Sequence, residues 1–94
     1  MTVRLHHLPR RRTDVQLLDE TDHSVLIDPD AKRYVLNPTA RAIWEMCDGT
    51  TTVDELADAI CEVFDVDRQQ ATSDVAATVE QLTHAGLLDA PKTT

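Results

Sequence analysis

The chain has 94 residues, enough for one small domain with a limited core. Its formal net charge is −8, and it is unevenly spread: the first twelve residues carry four arginines and no acid, whereas the rest carries five basic and seventeen acidic residues. A body this acidic disfavours nucleic acid as a partner. With no apolar run near the ~20 residues of a membrane helix and no signal-peptide core at the start, we expect a cytoplasmic protein without a membrane partner.

Three short runs of β-forming residues open the main part of the chain, at 15–18, 24–27 and 32–36. They are separated by 19–22 and 28–31, which are rich in acidic and turn-forming residues. Such short connections are typical of antiparallel strands that follow one another in a meander. Before them, residues 1–13 are predicted to be a basic flexible arm or an irregular lead-in to the first strand.

Three helices are predicted to follow. Asn37 and Pro38 form a start signal, and Asp48-Gly49 ends the first helix. Thr52 and Glu55 have the spacing of a capping box for the second helix. Asp67 is expected to cap the third helix, which Gly86 ends. The predicted fold is therefore α+β and winged-helix-like, a three-stranded antiparallel sheet followed by three helices, with one domain over 14–90 and a tail at 91–94.

The residues needed for catalysis or metal binding do not occur in a recognisable pattern. The adjacent pair His6-His7 would point to opposite faces of a strand. Cys47 and Cys61 lie in helical patterns away from any Cys/His cluster and are expected to be buried free thiols. No glycine-rich phosphate loop is present. We expect a protein that is not an enzyme and that needs neither a metal nor a cofactor.

A resemblance to a known family rests on several short motifs spread over roughly residues 15 to 88. These are Leu36-Asn37-Pro38-Thr39-Ala40, Ile43-Trp44-Glu45, Cys47-Asp48-Gly49-Thr50, Thr52-Val53-Asp54-Glu55-Leu56, Val66-Asp67 and Ala85-Gly86-Leu87-Leu88. In these motifs the chain resembles the PqqD-like proteins, the peptide-recognition modules of pathways that modify ribosomally made peptides. The resemblance implies the same winged-helix-like fold.

The resemblance also implies a function. PqqD-like modules bind the leader of a precursor peptide between the third strand and the third helix. They deliver it to a modifying enzyme, commonly a radical-SAM enzyme or a leader peptidase. An open strand edge suits this role, because an extended peptide can add to it as a further strand. From the resemblance, the strand side of the site is expected at Arg33, Tyr34, Val35 and Leu36.

The helix side of the site follows from the helical positions of the third helix. At about 100° per residue, the core stripe is expected to centre on Ala71, Val75, Thr78 and Leu82. One flank is small or apolar, and we expect it to line the groove: Thr72, Ala76, Val79 and Thr83. The other flank is more polar: Gln70, Asp74, Ala77 and Gln81.

Several alternatives stay open. A winged helix suggests a DNA-binding regulator, but the third helix offers only Arg68 as a basic side chain, at its start. A passive scaffold of a biosynthetic complex is a third possibility, as is a third strand that is merely a solvated edge. Trp44 is expected to be partly buried rather than a peptide anchor. Tyr34 is expected either in the core with a solvated hydroxyl or in the groove wall.

Overall fold

The computed structural model describes residues 8–89 and contains the predicted three strands and three helices. The strands are β1 (Gln16–Asp19), β2 (Ser24–Ile27) and β3 (Arg33–Leu36); the helices are α1 (Pro38–Met46), α2 (Val53–Phe64) and α3 (Arg68–His84). The strands form one antiparallel sheet in the order β1-β2-β3. The predicted α+β fold is confirmed. None of the helices in this part of the chain is long and apolar enough to cross a membrane.

Two tight turns set the register of the sheet. The β1–β2 turn closes where the Glu20 N–H donates to the His23 carbonyl at 2.8 Å. The β2–β3 turn closes where the Asp28 N–H donates to the Lys32 carbonyl at 3.1 Å. The Asp28 carboxylate also accepts from the backbone N–H groups of Asp30 and Lys32, both at 2.9 Å. Because its carboxylate accepts these backbone hydrogen bonds, an aspartate is well suited to the start of this turn.

Alternation along the strands divides the sheet into two unequal faces. The inner face carries Leu26 and Leu36, which are buried in the main hydrophobic core. The outer face carries Leu18, Val25 and Val35, which lie directly opposite one another across the three strands. Helices therefore cover one face only, and an apolar row lies on the other.

The helices begin as their capping residues predict. Asn37 Oδ1 accepts from the Ala40 N–H at 2.8 Å, and Asp67 Oδ1 accepts from the Gln70 N–H at 2.7 Å. Thr52 and Glu55 form the predicted capping box. α3 ends at His84, and Gly86 follows with a φ of 77°, a conformation that glycine adopts at little cost. The Leu87 N–H then donates to the Leu82 carbonyl.

The core lies between the inner face of the sheet and the three helices. α2 packs closely against α3, and α1 contacts both helices. Ile43 and Trp44 bury the inner side of α1, so Trp44 is a core residue, at 4% exposure. Trp44 and Glu45 share a shallow surface depression with Val15 and Leu17, so the C-terminal part of α1 lies near β1.

The segment before β1 differs from the expected flexible arm over residues 9–12. Its backbone pairs on one side with the end of α1, where the Arg11 N–H donates to the Cys47 carbonyl at 2.9 Å. On the other side, the Arg12 N–H donates to the Leu87 carbonyl at 3.2 Å. Pro9 is fully buried. These residues therefore belong to the folded domain; the rest of the predicted arm at 1–7 and the predicted tail lie outside the described residues.

Candidate functional site: the free edge of β3

The outer edge of β3 presents the backbone groups of Arg33 and Val35. Bonded and non-bonded pairs alternate along an antiparallel ladder. The pair Asp28–Lys32 is hydrogen-bonded, and counting back along the ladder makes Leu26–Tyr34 and Ser24–Leu36 hydrogen-bonded pairs as well. The pairs between them, Ile27–Arg33 and Val25–Val35, are not hydrogen-bonded. The N–H and C=O of residues 33 and 35 therefore point away from β2.

The other hairpin gives the same assignment independently. The bonded pair Glu20–His23 makes Leu18–Val25 a bonded pair of β1 and β2. Val25 thus directs its backbone groups to β1, which leaves those of Leu26 for β3. Within residues 8–89 no further strand pairs with the outer edge of β3, since the two other bridges join Arg10 to Asp48 and Arg11 to Leu88.

The four predicted strand residues differ in exposure. Val35 is 70% exposed, more than the other exposed large hydrophobic side chains of the described residues, and it lies on the outer face. Arg33 is exposed on the same face. Leu36 is 5% exposed and belongs to the core. The free edge therefore combines open backbone groups with one apolar and one cationic side chain.

Tyr34 occupies a position between core and surface. Its ring packs against the core cluster on the inner face, and its hydroxyl donates to Asp28 Oδ2 at 3.2 Å. Partial burial, and then the bond and negative charge of Asp28, raise the pKa of Tyr34 above its usual value. The hydrogen bond of the hydroxyl to Asp28 links the ring to the β2–β3 turn. Tyr34 thus packs against the core with its hydroxyl bonded to Asp28, and a role of its ring in the groove wall stays a prediction.

The two flanks of α3 differ as their sequence does. Thr72, Ala76 and Thr83 are half-buried beside the buried stripe. On the opposite flank Gln70, Ala77 and Gln81 are exposed. The hydroxyls of Thr72 and Thr83 donate to the carbonyls four residues earlier, at 2.9 and 2.7 Å. Because both hydroxyls are hydrogen-bonded to the helix backbone, the two threonines leave no unpaired hydroxyl on this flank, and their methyl groups add apolar surface to it.

Val79 was predicted on the groove flank, and this part of the prediction needs correction. Val79 is 0% exposed and lies in the core cluster, whereas Thr78, expected at the centre of the stripe, is only half-buried. The buried stripe consists of Ala71, Val75, Val79 and Leu82. It is rotated toward Ala76 relative to the predicted centre, so the side chain of Val79 has no surface to offer a peptide.

An ion pair crosses the outer face of the sheet. The Arg33 guanidinium donates to Glu20 Oε1 at 2.7 Å. In the strand register, Arg33 and Glu20 lie at opposite corners of this face, and Val25 lies at its centre. Val25, which is 1% exposed, lies between the two ends of this ion pair in the strand register. Neither Glu20 nor this crossing could be foreseen from the sequence.

The charges of α3 are poorly arranged for binding phosphate. Its N-terminal Arg68 is held by two acids of α2, Asp54 and, at 2.7 Å, Asp58. Asp74 and Glu80 are half-buried on the same helix. The described residues contain no group of three or more potential metal-ligating side chains. Cys47 and Cys61 are free thiols, the first buried and the second half-buried.

Solved structures with the same fold are peptide-binding proteins and a recognition element. A lasso peptide synthetase B1 complexed with the leader peptide matches with a TM-score of 0.77 at 24% identity, covering 88% of this chain and 99% of that one. TbiB1 in complex with the TbiA(beta) leader peptide matches with a TM-score of 0.75 at 22% identity, covering 89% of this chain and 99% of that one.

A third structure is the PqqD truncation of Methylobacterium extorquens PqqCD, a stand-alone recognition element for ribosomally synthesised and post-translationally modified peptides. It matches with a TM-score of 0.74 at 24% identity, covering 87% of this chain and 88% of that one. No curated protein matches the chain. The family model described as coenzyme PQQ synthesis protein D (PqqD) matches residues 23–88, most of the chain. The resemblance seen in the sequence is confirmed, and the chain belongs to the PqqD family.

Proposed function

We propose that this protein is a non-catalytic module that binds the leader of a ribosomal precursor peptide as a fourth strand on β3. The peptide lies in a groove between β3 and α3. The strand wall is Arg33, Tyr34 and Val35, and the helix wall is Thr72, Ala76 and Thr83. Leu36, which was predicted in the strand wall, is 5% exposed and belongs to the core. The bound precursor is then delivered to a modifying enzyme, such as a radical-SAM enzyme or a leader peptidase.

The observation that carries this proposal is the free edge of β3. Two residues, Arg33 and Val35, direct both their backbone donors and acceptors away from the sheet. An extended peptide satisfies such groups with its own backbone, which gives affinity that depends little on sequence. The 70% exposure of Val35 adds apolar surface that a fourth strand would cover.

The position of the helices favours β3 over the other edge. The β1 edge is flanked by α1: Arg41 bonds to Asp19 at 3.2 Å, and Trp44 lies beside Leu17. Leu36 of β3 and Val75 and Val79 of α3 belong to one core cluster, which also includes residues of α1 and α2. As part of the proposal, we place the flank of small side chains on α3 on the β3 side of this cluster. Two of the solved structures that share this fold are complexes with leader peptides.

DNA binding receives no comparable support. A recognition helix needs free cations to neutralise phosphate. Arg68 is engaged by Asp54 and Asp58, and a net charge of −8 repels the DNA backbone.

Amide hydrogen exchange measured by NMR tests the proposal residue by residue. The probe is a synthetic peptide that covers the leader encoded by the short precursor gene that this proposal predicts beside the gene of this protein. In the free protein, the amides of Tyr34 and Leu36 should exchange slowly and those of Arg33 and Val35 fast. With the peptide bound, all four should exchange slowly. Binding that leaves Arg33 and Val35 unprotected would show that the peptide does not add to β3.

A further inference from the structure

We propose that Arg33 and Val35 select the outer-face side chains of the bound peptide. The recognised segment then has an apolar, β-branched residue two positions before an acidic residue. This inference rests on the proposed function and names the class of peptide that the site accepts.

The apolar preference follows from the row on the outer face. Leu18, Val25 and Val35 lie opposite one another on β1, β2 and β3, and Val35 ends the row at the free edge. A fourth strand places one residue directly opposite Val35 on the same face. β-branched side chains pair well with a valine across a sheet, and the row would continue by one member.

The acidic preference follows from Arg33. Its present partner, Glu20, lies at the opposite corner of the face, and both side chains are about half exposed, at 54% and 43%. Exposed ion pairs of this kind contribute little to stability, so exchange of the partner costs little. A carboxylate on the peptide residue opposite Arg33 would be its direct cross-strand neighbour, whereas Glu20 reaches Arg33 from the other side of the sheet.

Other charges near this edge do not satisfy Arg33. Lys32 precedes it and is also cationic. The carboxylate of Asp28 accepts from the N–H groups of Asp30 and Lys32 and from the Tyr34 hydroxyl. The free edge therefore presents the Arg33 guanidinium as its cationic group, next to a turn that also carries the exposed Asp30.

The order of the two preferences follows from strand direction. The sheet is antiparallel throughout, and an antiparallel fourth strand meets Val35 before Arg33. Between them lies one peptide residue opposite Tyr34. That residue points to the inner face, toward the groove, where the partly buried ring of Tyr34 packs against the core. Read from its N-terminus, the peptide pattern is apolar, then groove residue, then acid.

Selection from a random library tests this pattern without knowledge of the natural leader. A messenger-RNA display library of random 12-residue peptides is selected on the immobilised full-length protein. We expect enrichment of a Val or Ile two positions before an Asp or Glu. Selection on Arg33→Glu should replace the acid by Lys or Arg. Selection on Lys32→Glu, which makes the same charge change one residue earlier, should keep the acid.

Synthetic peptides taken from the selection give the magnitude. Replacing the acid by Lys should weaken binding to the wild-type protein about two- to fivefold, the range of a cross-strand charge pair, and should strengthen binding to Arg33→Glu. This inference alone would be overturned if the selected peptides protect the Arg33 and Val35 amides but lack the acidic residue or carry the two residues in the reversed order. It would also be overturned if selection on Arg33→Glu did not replace the acidic residue by a basic one. A folded protein that enriches no peptide at all would overturn the proposed function with it.

Discussion

Tyr34 and Val35 are neighbours on β3, but their backbone groups serve opposite sides of the strand. Those of Tyr34 bond to Leu26 of β2, whereas those of Val35 point to the free edge. Proline at either position removes one N–H. The consequence differs because only one of the two N–H groups belongs to the sheet, so this pair separates strand addition from stability of the fold.

Val35→Pro is predicted to remain folded and to lose affinity for the leader peptide. Edge strands tolerate proline where the missing N–H faced solvent. The added strand would lose one hydrogen bond and meet the proline ring, so we expect affinity to fall by about tenfold or more. Circular dichroism checks the fold, and calorimetry with the leader peptide checks the affinity.

Tyr34→Pro is the matched control. It breaks the bond to Leu26 inside the sheet and leaves a buried acceptor unpaired, which should destabilise the domain by about 1–3 kcal/mol. Urea denaturation measures this difference. If both variants stayed folded and bound the leader normally, addition of the peptide to β3 would be excluded.

The elements of this fold could be predicted because their signals are local. Asn37, Thr52 and Asp67 accept hydrogen bonds from backbone N–H groups three residues later, a relationship that depends only on short-range sequence. The acidic turns between the strands act in the same way: Asp28 caps its own loop. Order, type and approximate bounds of the elements follow from such signals.

The site could be predicted only in part, because it depends on relationships between distant residues. Which of Tyr34 and Val35 faces the free edge is fixed by the hairpin register. The position of Val79 depends on how α3 rolls against α1 and α2, and a rotation of part of one turn moves it from a flank into the core. The bond between Glu20 and Arg33 joins two strand ends that no sequence period relates.

Arg11→Ala is predicted to destabilise the domain by about 1 kcal/mol, although the residue precedes the first strand. Its guanidinium donates to the carbonyls of Trp44, at 3.3 Å, and Glu45 at the end of α1. A cation satisfies free carbonyls there and complements the helix dipole. Arg12→Ala removes an equal charge from an exposed pair with Asp14 and should change the urea midpoint little. Equal midpoints for the two variants would contradict a structural role for Arg11.

The two cysteines are predicted to differ in reactivity. Cys47 is 0% exposed, and burial raises its pKa to about 12 from the usual 9.0. Cys61 is half-buried. A thiol reagent at pH 8 should therefore modify Cys61 in the folded protein and Cys47 only after unfolding. Cys61→Ser should be unreactive when folded; rapid labelling of that variant would contradict the burial of Cys47.

The raised pKa of Cys47 also predicts how stability depends on pH. Above pH 9 the thiol ionises in the unfolded chain but stays protonated in the folded protein. The free energy of unfolding should therefore decline as the pH rises above 9.

The charge distribution predicts no specific affinity for duplex DNA. Arg68, near the start of α3, is paired with Asp54 and Asp58. An electrophoretic mobility shift assay with the upstream region of its own gene cluster, at physiological salt, should show no specific complex at sub-micromolar protein. A sequence-specific shift would instead support the regulator hypothesis over peptide binding.

Ala76→Arg is predicted to block the peptide while the domain stays folded. Ala76 is half-buried on the α3 flank that we assign to the groove, so a long cationic side chain there should fill the space of a peptide side chain. Affinity for the leader, measured by calorimetry, should fall by at least about tenfold, or 1.4 kcal/mol. Ala77→Arg is the matched control, because it places the same side chain at the next residue, which is exposed on the opposite flank. This variant should bind the leader with normal affinity. Because Ala76 is half-buried and Ala77 is exposed, urea denaturation of both variants is measured as well, so that lost binding is separated from lost stability. Normal affinity for Ala76→Arg with lost affinity for Ala77→Arg would move the groove to the other flank, and normal affinity for both would separate the peptide from α3 altogether.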